Sequence, residues 1–197
     1  LDKIGPDGVR KELVERGMRL TAGQRQLRGV SEGSLARAKK GCLVAALRAD
    51  MPPRYFDQPH DDSLEGLGIS LSRDEGRTWS PLQVLFDAGR HHPHLLTLPG
   101  GELVMTYIVR DDIREGRLAS YRRGCEALIS RDHGLSWELD RRMVLDEFEF
   151  FDGEKWYNGE TGHLYSALLD DGSMLTCYGK YLSKGANLIR WQPAELG

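Results

Sequence analysis

The chain has 197 residues, of which 40% are apolar and 29% are charged, and its formal net charge is −3. This size and composition predict one ordinary soluble domain without a transmembrane run of 18 apolar residues. The near-balanced charge argues against a nucleic-acid-binding surface. No signal peptide is visible after Leu1, so the compartment stays open, with secretion or a periplasmic location both compatible with the sequence.

In chain order, residues 1–30 give no clear pattern, although 14–21 can be interpreted as a strand or as a helical turn. Three later segments, 34–47, 94–109 and 165–178, each contain an apolar run, a turn that ends in Gly, and a second apolar run. The turn glycines are Gly41, Gly101 and Gly172. The second runs are rich in β-forming residues, which predicts strands. Further strands are predicted at 67–71, 82–86, 125–129, 142–145 and 187–191.

Two eight-residue stretches, 72–79 and 130–137, share the pattern S-x-D-x-G-x-[T/S]-W. The Asp can hydrogen-bond the backbone ahead of it, and the Gly takes a conformation that a Cβ would obstruct. The Trp buries a large ring whose N–H we expect to be partnered. The two stretches are 58 positions apart, and Gly41 and Gly101 are 60 apart. These matching periods indicate repeated supersecondary units.

The pattern resembles the Asp-box, or BNR repeat, of sialidase-type β-propellers. The resemblance covers about residues 30–191 and implies an all-β fold with four antiparallel strands per blade and six blades in the family. It predicts a single, partial propeller domain over 1–197, with blades at about 32–90, 91–150 and 160–191. Three blades leave open sheet edges. We therefore expect either a longer protein, of which this chain is the C-terminal half, or a second chain that closes the ring.

The resemblance also implies site residues. Glu32 lies nine positions before Gly41 and Arg48 lies seven after it, which matches the catalytic Glu and the second arginine of the sialidase triad. Tyr165, which is followed by Ser166, matches the tyrosine nucleophile.

More substrate-binding candidates follow from the same counting. Arg122 lies eight positions before the second Asp-box and matches the third triad arginine, while a shift of one residue would put Arg123 in its place. His92 and His163 each lie nine positions before a turn glycine, as Glu32 does. Histidines there could bind hydroxyls or act as acid or base. Glu160 adds a carboxylate close to Tyr165 in the sequence.

In the family that the chain resembles, these residue types hydrolyse the glycosidic bond of terminal sialic acid or a related acidic sugar. Arginines bind the sugar carboxylate through paired, charge-assisted hydrogen bonds. A neutral Tyr hydroxyl attacks where a carboxylate would be repelled, and a Glu takes its proton. The family's Asp acid and its first arginine come from early blades, so neither is assigned here.

Each assignment has a structural alternative. Glu32 and Arg48 can form an ion pair, Tyr165 can be an ordinary strand residue, and the histidines can belong to turns. The aromatic, acidic insertion 147–160 can be a rim loop or a lid. The whole chain can instead be a non-catalytic propeller that binds a glycan or a protein, since fold alone does not decide function.

We expect neither a cofactor nor a metal. Cys42, Cys125 and Cys177 lie in apolar, strand-like runs, which favours buried free thiols over a disulfide framework. His91, His92 and His94 form a cluster in the sequence, but spacing supplies no acidic ligand or further His to complete a metal site.

Overall fold

The computed structural model describes residues 29–38, 41–50, 65–110, 112–114, 117–149, 161–180 and 185–196. These residues form strands and two short 3-10 turns, Leu139–Arg141 and Pro193–Leu196. The predicted all-β fold is confirmed. The element suggested at 14–21, most of the insertion 147–160, and Glu160 lie outside the described residues.

The strands form antiparallel sheets that follow chain order. The first sheet contains β1 (Gly29–Arg37), β2 (Leu43–Asp50), β3 (Glu65–Ser72) and β4 (Gln83–Phe86). The second contains β5 (Arg90–Thr97), β6 (Leu103–Val109), β9 (Arg122–Ser130) and β10 (Met143–Glu149). The third contains β11 (Thr161–Leu168), β12 (Met174–Lys180) and β13 (Gly185–Trp191). A separate hairpin, β7 (Asp112–Arg114) and β8 (Arg117–Ser120), joins β6 to β9.

Consecutive strands pair in each sheet, which is the arrangement of a propeller blade. The predicted turn glycines all have positive φ: 78° at Gly41, 96° at Gly101 and 81° at Gly172. Residues with a Cβ rarely adopt a positive φ, so glycine at these three positions allows the tight turn. Residues 147–149 of the insertion extend β10, and the hairpin β7–β8 was not predicted.

The two repeated turns, between β3 and β4 and between β9 and β10, have the same hydrogen bonds. In the first, the Gly76 N–H donates to the Ser72 hydroxyl at 2.8 Å. The Thr78 N–H and hydroxyl donate to the two oxygens of Asp74 at 2.8 and 2.6 Å. The second turn repeats these contacts at 2.8, 2.8 and 2.6 Å. The polar groups of each turn therefore find hydrogen-bond partners within the turn itself, as expected from the sequence.

The tryptophans of these turns differ. The Trp79 indole N–H donates to the Gly76 carbonyl at 3.1 Å. The Trp137 indole nitrogen is buried and has no hydrogen-bond partner among the described residues. The expected N–H partner is thus found in the first turn only.

The core lies between the sheets. Val44 and Ile69 of the first sheet pack with Met105 and Leu128 of the second. On its other side the second sheet meets the third, where Val104 packs with buried residues that include Met174 and Trp191. All seven residues of β6 are buried, because this strand lies inside the middle sheet and is covered on both faces. The stacked sheets bring strands β1, β5 and β11 next to one another.

The cysteines are free, but only Cys125 is buried, whereas Cys42 and Cys177 are partly exposed. The expectation of three buried thiols is therefore wrong for two of them: Cys42 directly precedes β2, and Cys177 lies in β12, the middle strand of the three-stranded sheet. Within the described ranges, no helix has the length and apolar character needed to cross a membrane.

Candidate functional site

The three neighbouring strands β1, β5 and β11 share one irregularity. Each has a shift of pairing register, and each shift contains one non-glycine residue with positive φ. These residues are Glu32 at 46°, His92 at 48° and His163 at 52°. A left-handed backbone costs an L-residue about 1–2 kcal/mol. Such bulges and such strain are enriched next to functional sites.

An open pocket of about 470 Å³ lies at these bulges. Its lining includes the side chains of Glu32, Leu35, His92, His94, His163 and Tyr165. The Tyr165 side chain is 64% exposed. The volume falls within the range of about 300–1,000 Å³ that is usual for small-molecule sites.

The Glu32 carboxylate is held by several donors. Its Oε1 lies 2.9 Å from Arg48 Nη1 and 3.2 Å from His92 Nε2. Its Oε2 lies 3.2 Å from His91 Nδ1 and accepts the backbone N–H of His92 at 3.3 Å. Burial alone would raise the pKa of Glu32, but the hydrogen bond from His91 and the electrostatic interactions with His91, His92 and Arg48 lower it to about 2. The carboxylate is therefore ionised at neutral pH.

The Arg48 guanidinium is surrounded by three carboxylates. Besides Glu32, it contacts Asp50 through Nε at 2.8 Å and Glu65 through Nη2 at 2.5 Å. This arrangement follows from the sheet, because Asp50 and Glu65 are partners in the β2–β3 pairing. Each of the three guanidinium nitrogens thus donates to a carboxylate of the protein.

His91 lies behind Glu32 and is 1% exposed. Its Nε2 accepts a hydrogen bond from Arg110 Nε at 3.0 Å. Since a guanidinium only donates, the neutral ring carries its proton on Nδ1 and directs it toward Glu32 and Glu65. Burial lowers the pKa of His91 to about 3. Arg110 also donates to the Thr161 carbonyl at 2.9 Å, which ties this group to β11.

Glu32, His91 and His92 bring possible metal ligand atoms within 4.8 Å of one another. The sequence had indicated no acidic ligand beside these histidines, and Glu32 corrects that point. However, the Nδ1 proton of His91 occupies the atom that would face an ion, and Arg48 lies against the same carboxylate. We assign no metal to this group.

His94 contacts Tyr165 on the other side of the pocket. Their rings meet edge to face, with centroids 5.5 Å apart. His94 Nδ1 accepts the backbone N–H of Ser166 at 3.2 Å. Burial lowers the pKa of His94, so its neutral ring carries the proton on Nε2. The ring of His92, which contacts Glu32, and the ring of His163, two residues before Tyr165, have centroids 5.3 Å apart.

A buried row of hydroxyls holds the strand that carries Tyr165. The Ser166 hydroxyl lies 2.8 Å from the Thr106 hydroxyl and 2.9 Å from the Thr176 hydroxyl. The Trp191 indole N–H donates to Thr176 at 2.9 Å. The Thr106–Ser166 contact joins the second and third sheets, and the row fixes the backbone next to Tyr165.

Five predicted site residues, namely Glu32, Arg48, His92, His163 and Tyr165, lie in or directly behind the pocket. His91, His94, Glu65, Asp50 and Arg110 were not predicted as site residues. They reach the site through pairing with neighbouring strands and through contacts between sheets, which the spacing of residues within one repeat does not reveal.

Arg122 lies in a different cluster. It donates to Glu126 at 2.7 Å and to Glu147 at 2.8 Å. Glu126 is 1% exposed and also accepts the Tyr107 hydroxyl at 2.9 Å. Arg123, the next residue of β9, is 4% exposed. The substrate-binding roles of Arg122 and Arg123 stay predictions.

Comparison with known proteins identifies the fold. No family model matches the chain, and no curated protein sequence matches it. A Hadza microbial sialidase is 17% identical, with 84% of this chain and 32% of that chain covered and a TM-score of 0.53. An α-L-arabinanase of Penicillium chrysogenum, complexed with arabinobiose, is 14% identical, with 88% and 48% covered and a TM-score of 0.59.

A GH93 α-L-arabinofuranosidase of Fusarium graminearum is 16% identical, with 82% and 44% covered and a TM-score of 0.54. The chain thus spans about a third to a half of the length of these solved structures. At such identities the likeness concerns the fold alone. The chain therefore has the architecture of part of a β-propeller, and its blades match those of structures named as a sialidase, an arabinanase and an arabinofuranosidase.

Proposed function

We propose that the pocket at the three bulges binds a sugar and that the protein hydrolyses a glycosidic bond there. One observation carries this proposal: an ionised carboxylate, Glu32, and an exposed phenol, Tyr165, line the same pocket. The strained φ of Glu32 and the likeness of the fold to the named glycosidases support it.

The proposed chemistry is a retaining hydrolysis in two steps. The Tyr165 hydroxyl attacks the anomeric carbon, the bond to the leaving oxygen breaks, and the phenolic proton passes to Glu32. A second acid group protonates the leaving oxygen in this step. Water then attacks the anomeric carbon and returns a proton to that group, while the tyrosyl–sugar bond breaks and the phenol regains its proton from Glu32. Because β5 lies between the strands of Glu32 and Tyr165, we place the sugar over β5.

The histidines of the pocket supply contacts to sugar hydroxyls. His94 presents its Nε2–H, since its Nδ1 is occupied by the Ser166 N–H. His92 and His163 flank the position proposed for the sugar. The His94 ring is left with its Nε2–H as a donor and the His92 ring, whose Nε2 faces Glu32, with its Nδ1 as an acceptor, and hydroxyl groups can pair with both.

A finer, sialidase-type form of the proposal has sialic acid or a related acidic sugar as the substrate. In that form Arg48 and Arg122 bind the substrate carboxylate. Arg48 would first have to release one of its three protein carboxylates, and Arg122 would have to release Glu126 or Glu147. We therefore keep the tyrosine and glutamate chemistry as the proposal and leave the two arginines out of it.

The second candidate function is sugar binding without hydrolysis. The observation that favours it is the engagement of Glu32 by Arg48, His91 and His92, which is also what a structural carboxylate would have. Under this alternative the pocket keeps its ligand and shows no turnover.

The test is hydrolysis of a panel of 4-methylumbelliferyl glycosides by the full-length protein. We expect release of fluorophore by the wild type and a decrease of at least about 100-fold in kcat/KM for Tyr165→Phe. Tyr121→Phe, a matched change outside the pocket, should keep full activity. Equal turnover by Tyr165→Phe and wild type would reject the proposed nucleophile. Binding of a glycan without any turnover would favour the second candidate.

A further inference from the structure

We infer that the sugar taken by this pocket is neutral and carries no carboxylate, sulfate or phosphate group. The inference rests on the proposed function, because it presupposes that the pocket binds a sugar. It differs from the sialidase resemblance, which implies an acidic sugar.

The first argument is the charge of the pocket wall. Among the described residues that line it, Glu32 is the carboxylate and no lysine or arginine is present. Burial lowers the pKa of both His92 and His94, so these rings are neutral at pH 7. An anionic sugar placed against them would face a carboxylate and would lose water without gaining a cationic partner, which is unfavourable.

The second argument is the state of the arginines behind this wall. Each nitrogen of the Arg48 guanidinium contacts a protein carboxylate. Arg110 is buried and donates to His91 and to the Thr161 carbonyl. A substrate carboxylate would have to displace contacts of a kind that is strong and expensive to break when partly buried.

The third argument is formal charge. The two guanidinium groups of Arg48 and Arg110 are outnumbered by the three carboxylates of Glu32, Asp50 and Glu65. The group as a whole therefore does not attract an anion. This distinguishes it from sites built to bind acidic ligands, where guanidinium groups are in excess and face the ligand.

The remaining surface of the pocket suits a neutral sugar. The exposed ring of Tyr165 and the exposed side chain of Leu35 can cover the apolar C–H face of a pyranose or furanose ring. Glu32 can accept hydrogen bonds from hydroxyl groups, and His94 Nε2–H can donate one. Hydroxyl groups, unlike carboxylates, can satisfy both kinds of partner.

The experiment uses the full-length protein and an array of matched glycan pairs, each a neutral glycan and its sialylated or uronate counterpart. The best-bound pair is then measured by calorimetry. We expect the neutral member to bind at least about tenfold more tightly. Glu32→Gln should reduce this difference several-fold, because it removes the repelling charge. Glu102→Gln, a matched change in the distant β5–β6 turn, should leave it unchanged.

The outcomes are separable. Tighter binding of the acidic member would overturn the inference while leaving the proposed function in place. Failure of every glycan to bind would remove the proposed function and this inference with it. If Glu32→Gln does not fold, the salt dependence of the wild type replaces it. The neutral member's advantage should then shrink between about 0.05 and 0.5 M salt through screening, and a constant advantage would count against repulsion by Glu32.

Discussion

Glu32 and His92 occupy the same bulge position of two adjacent strands, and the Nε2 atom of His92 lies 3.2 Å from Oε1 of Glu32. Both backbones are left-handed, with φ of 46° and 48°. The backbone N–H of His92 also donates to the other carboxylate oxygen. The irregularity of each strand therefore serves two purposes, since it turns the side chain toward the pocket and presents a backbone donor to the neighbouring bulge.

We expect His163→Gly to stabilise the fold and weaken the site. His163 is exposed and has φ of 52°, so glycine removes backbone strain at little cost in packing. His163→Ala keeps the strain and removes the same ring. We expect the glycine variant to exceed the alanine variant by about 0.5–1 kcal/mol in free energy of unfolding, measured by urea denaturation. A less stable glycine variant would show that the backbone at this bulge is unstrained. Both variants should bind sugar more weakly than the wild type.

We expect Glu126→Ala to be strongly destabilising. Its buried carboxylate accepts from Arg122 and from the Tyr107 hydroxyl, and Arg90 and Arg142 lie 3.7 Å away. Removing it leaves partly buried guanidinium groups without this partner, at a cost of about 3–5 kcal/mol. Tyr107→Phe, which loses one hydrogen bond to the same carboxylate, should cost about 1.5–3 kcal/mol. Thermal unfolding measures both, and a neutral Glu126→Ala would contradict the structural importance of this cluster.

The repeated turns should affect stability and not catalysis. Asp132 accepts the Ser136 N–H and hydroxyl and the Ser130 hydroxyl, so Asp132→Ala should lower the free energy of unfolding by about 1–2 kcal/mol. Asp74→Ala should lower the unfolding midpoint in the same direction, because its contacts are the same. Sugar binding at a temperature where both variants are folded should equal that of the wild type. A change in affinity would connect these turns to the pocket.

Acidification should destabilise the protein from about pH 6.5 downward. In the unfolded chain His91 titrates near 6.5 and Glu32 near 4.5, whereas in the fold their pKa values are about 3 and about 2. Both folded values are lower, so the unfolded state binds more protons as pH falls, and stability present at pH 7 is lost. Between pH 6.5 and 4.5, His91 lowers the free energy of unfolding by up to about 1.4 kcal/mol for each pH unit of acidification.

Glu32 adds to this loss below about pH 4.5. The measurement is urea denaturation of wild type and His91→Gln at several pH values. The variant should be less stable at pH 7 and should show a shallower pH dependence above pH 4.5. A slope equal to that of the wild type would mean that His91 is not the buried neutral group.

Much of the fold could be predicted from the sequence because its information is local. Turn glycines, alternating apolar runs and the repeated Asp-containing turns each lie within a few residues. Counting nine positions back from Gly41, Gly101 and Gly172 also predicts the equivalence of Glu32, His92 and His163, because the paired strands that form each bulge have a constant length. The hairpin β7–β8 was missed because its short strands carry charged residues and no apolar alternation.

The surroundings of the site could be predicted less well. Glu65 reaches Arg48 through the register of β3 on β2, and Arg110, directly after β6, reaches His91 because that end of β6 pairs with the start of β5. These contacts depend on how strands and sheets align, which no local pattern encodes. Arg122 illustrates the same limit, since a count along one strand places it near an Asp-box but does not show that Glu126 will bind it.

The three bulges affect how the site of such a protein can evolve. Strand pairing sets the backbone at each bulge, so a mutation there exchanges the side chain while the neighbouring coordinates stay in place. Here one repeat carries an acid and two carry histidines. Under the proposed function, three separate codons would therefore set the chemistry of the centre while the strands that carry them stay the same.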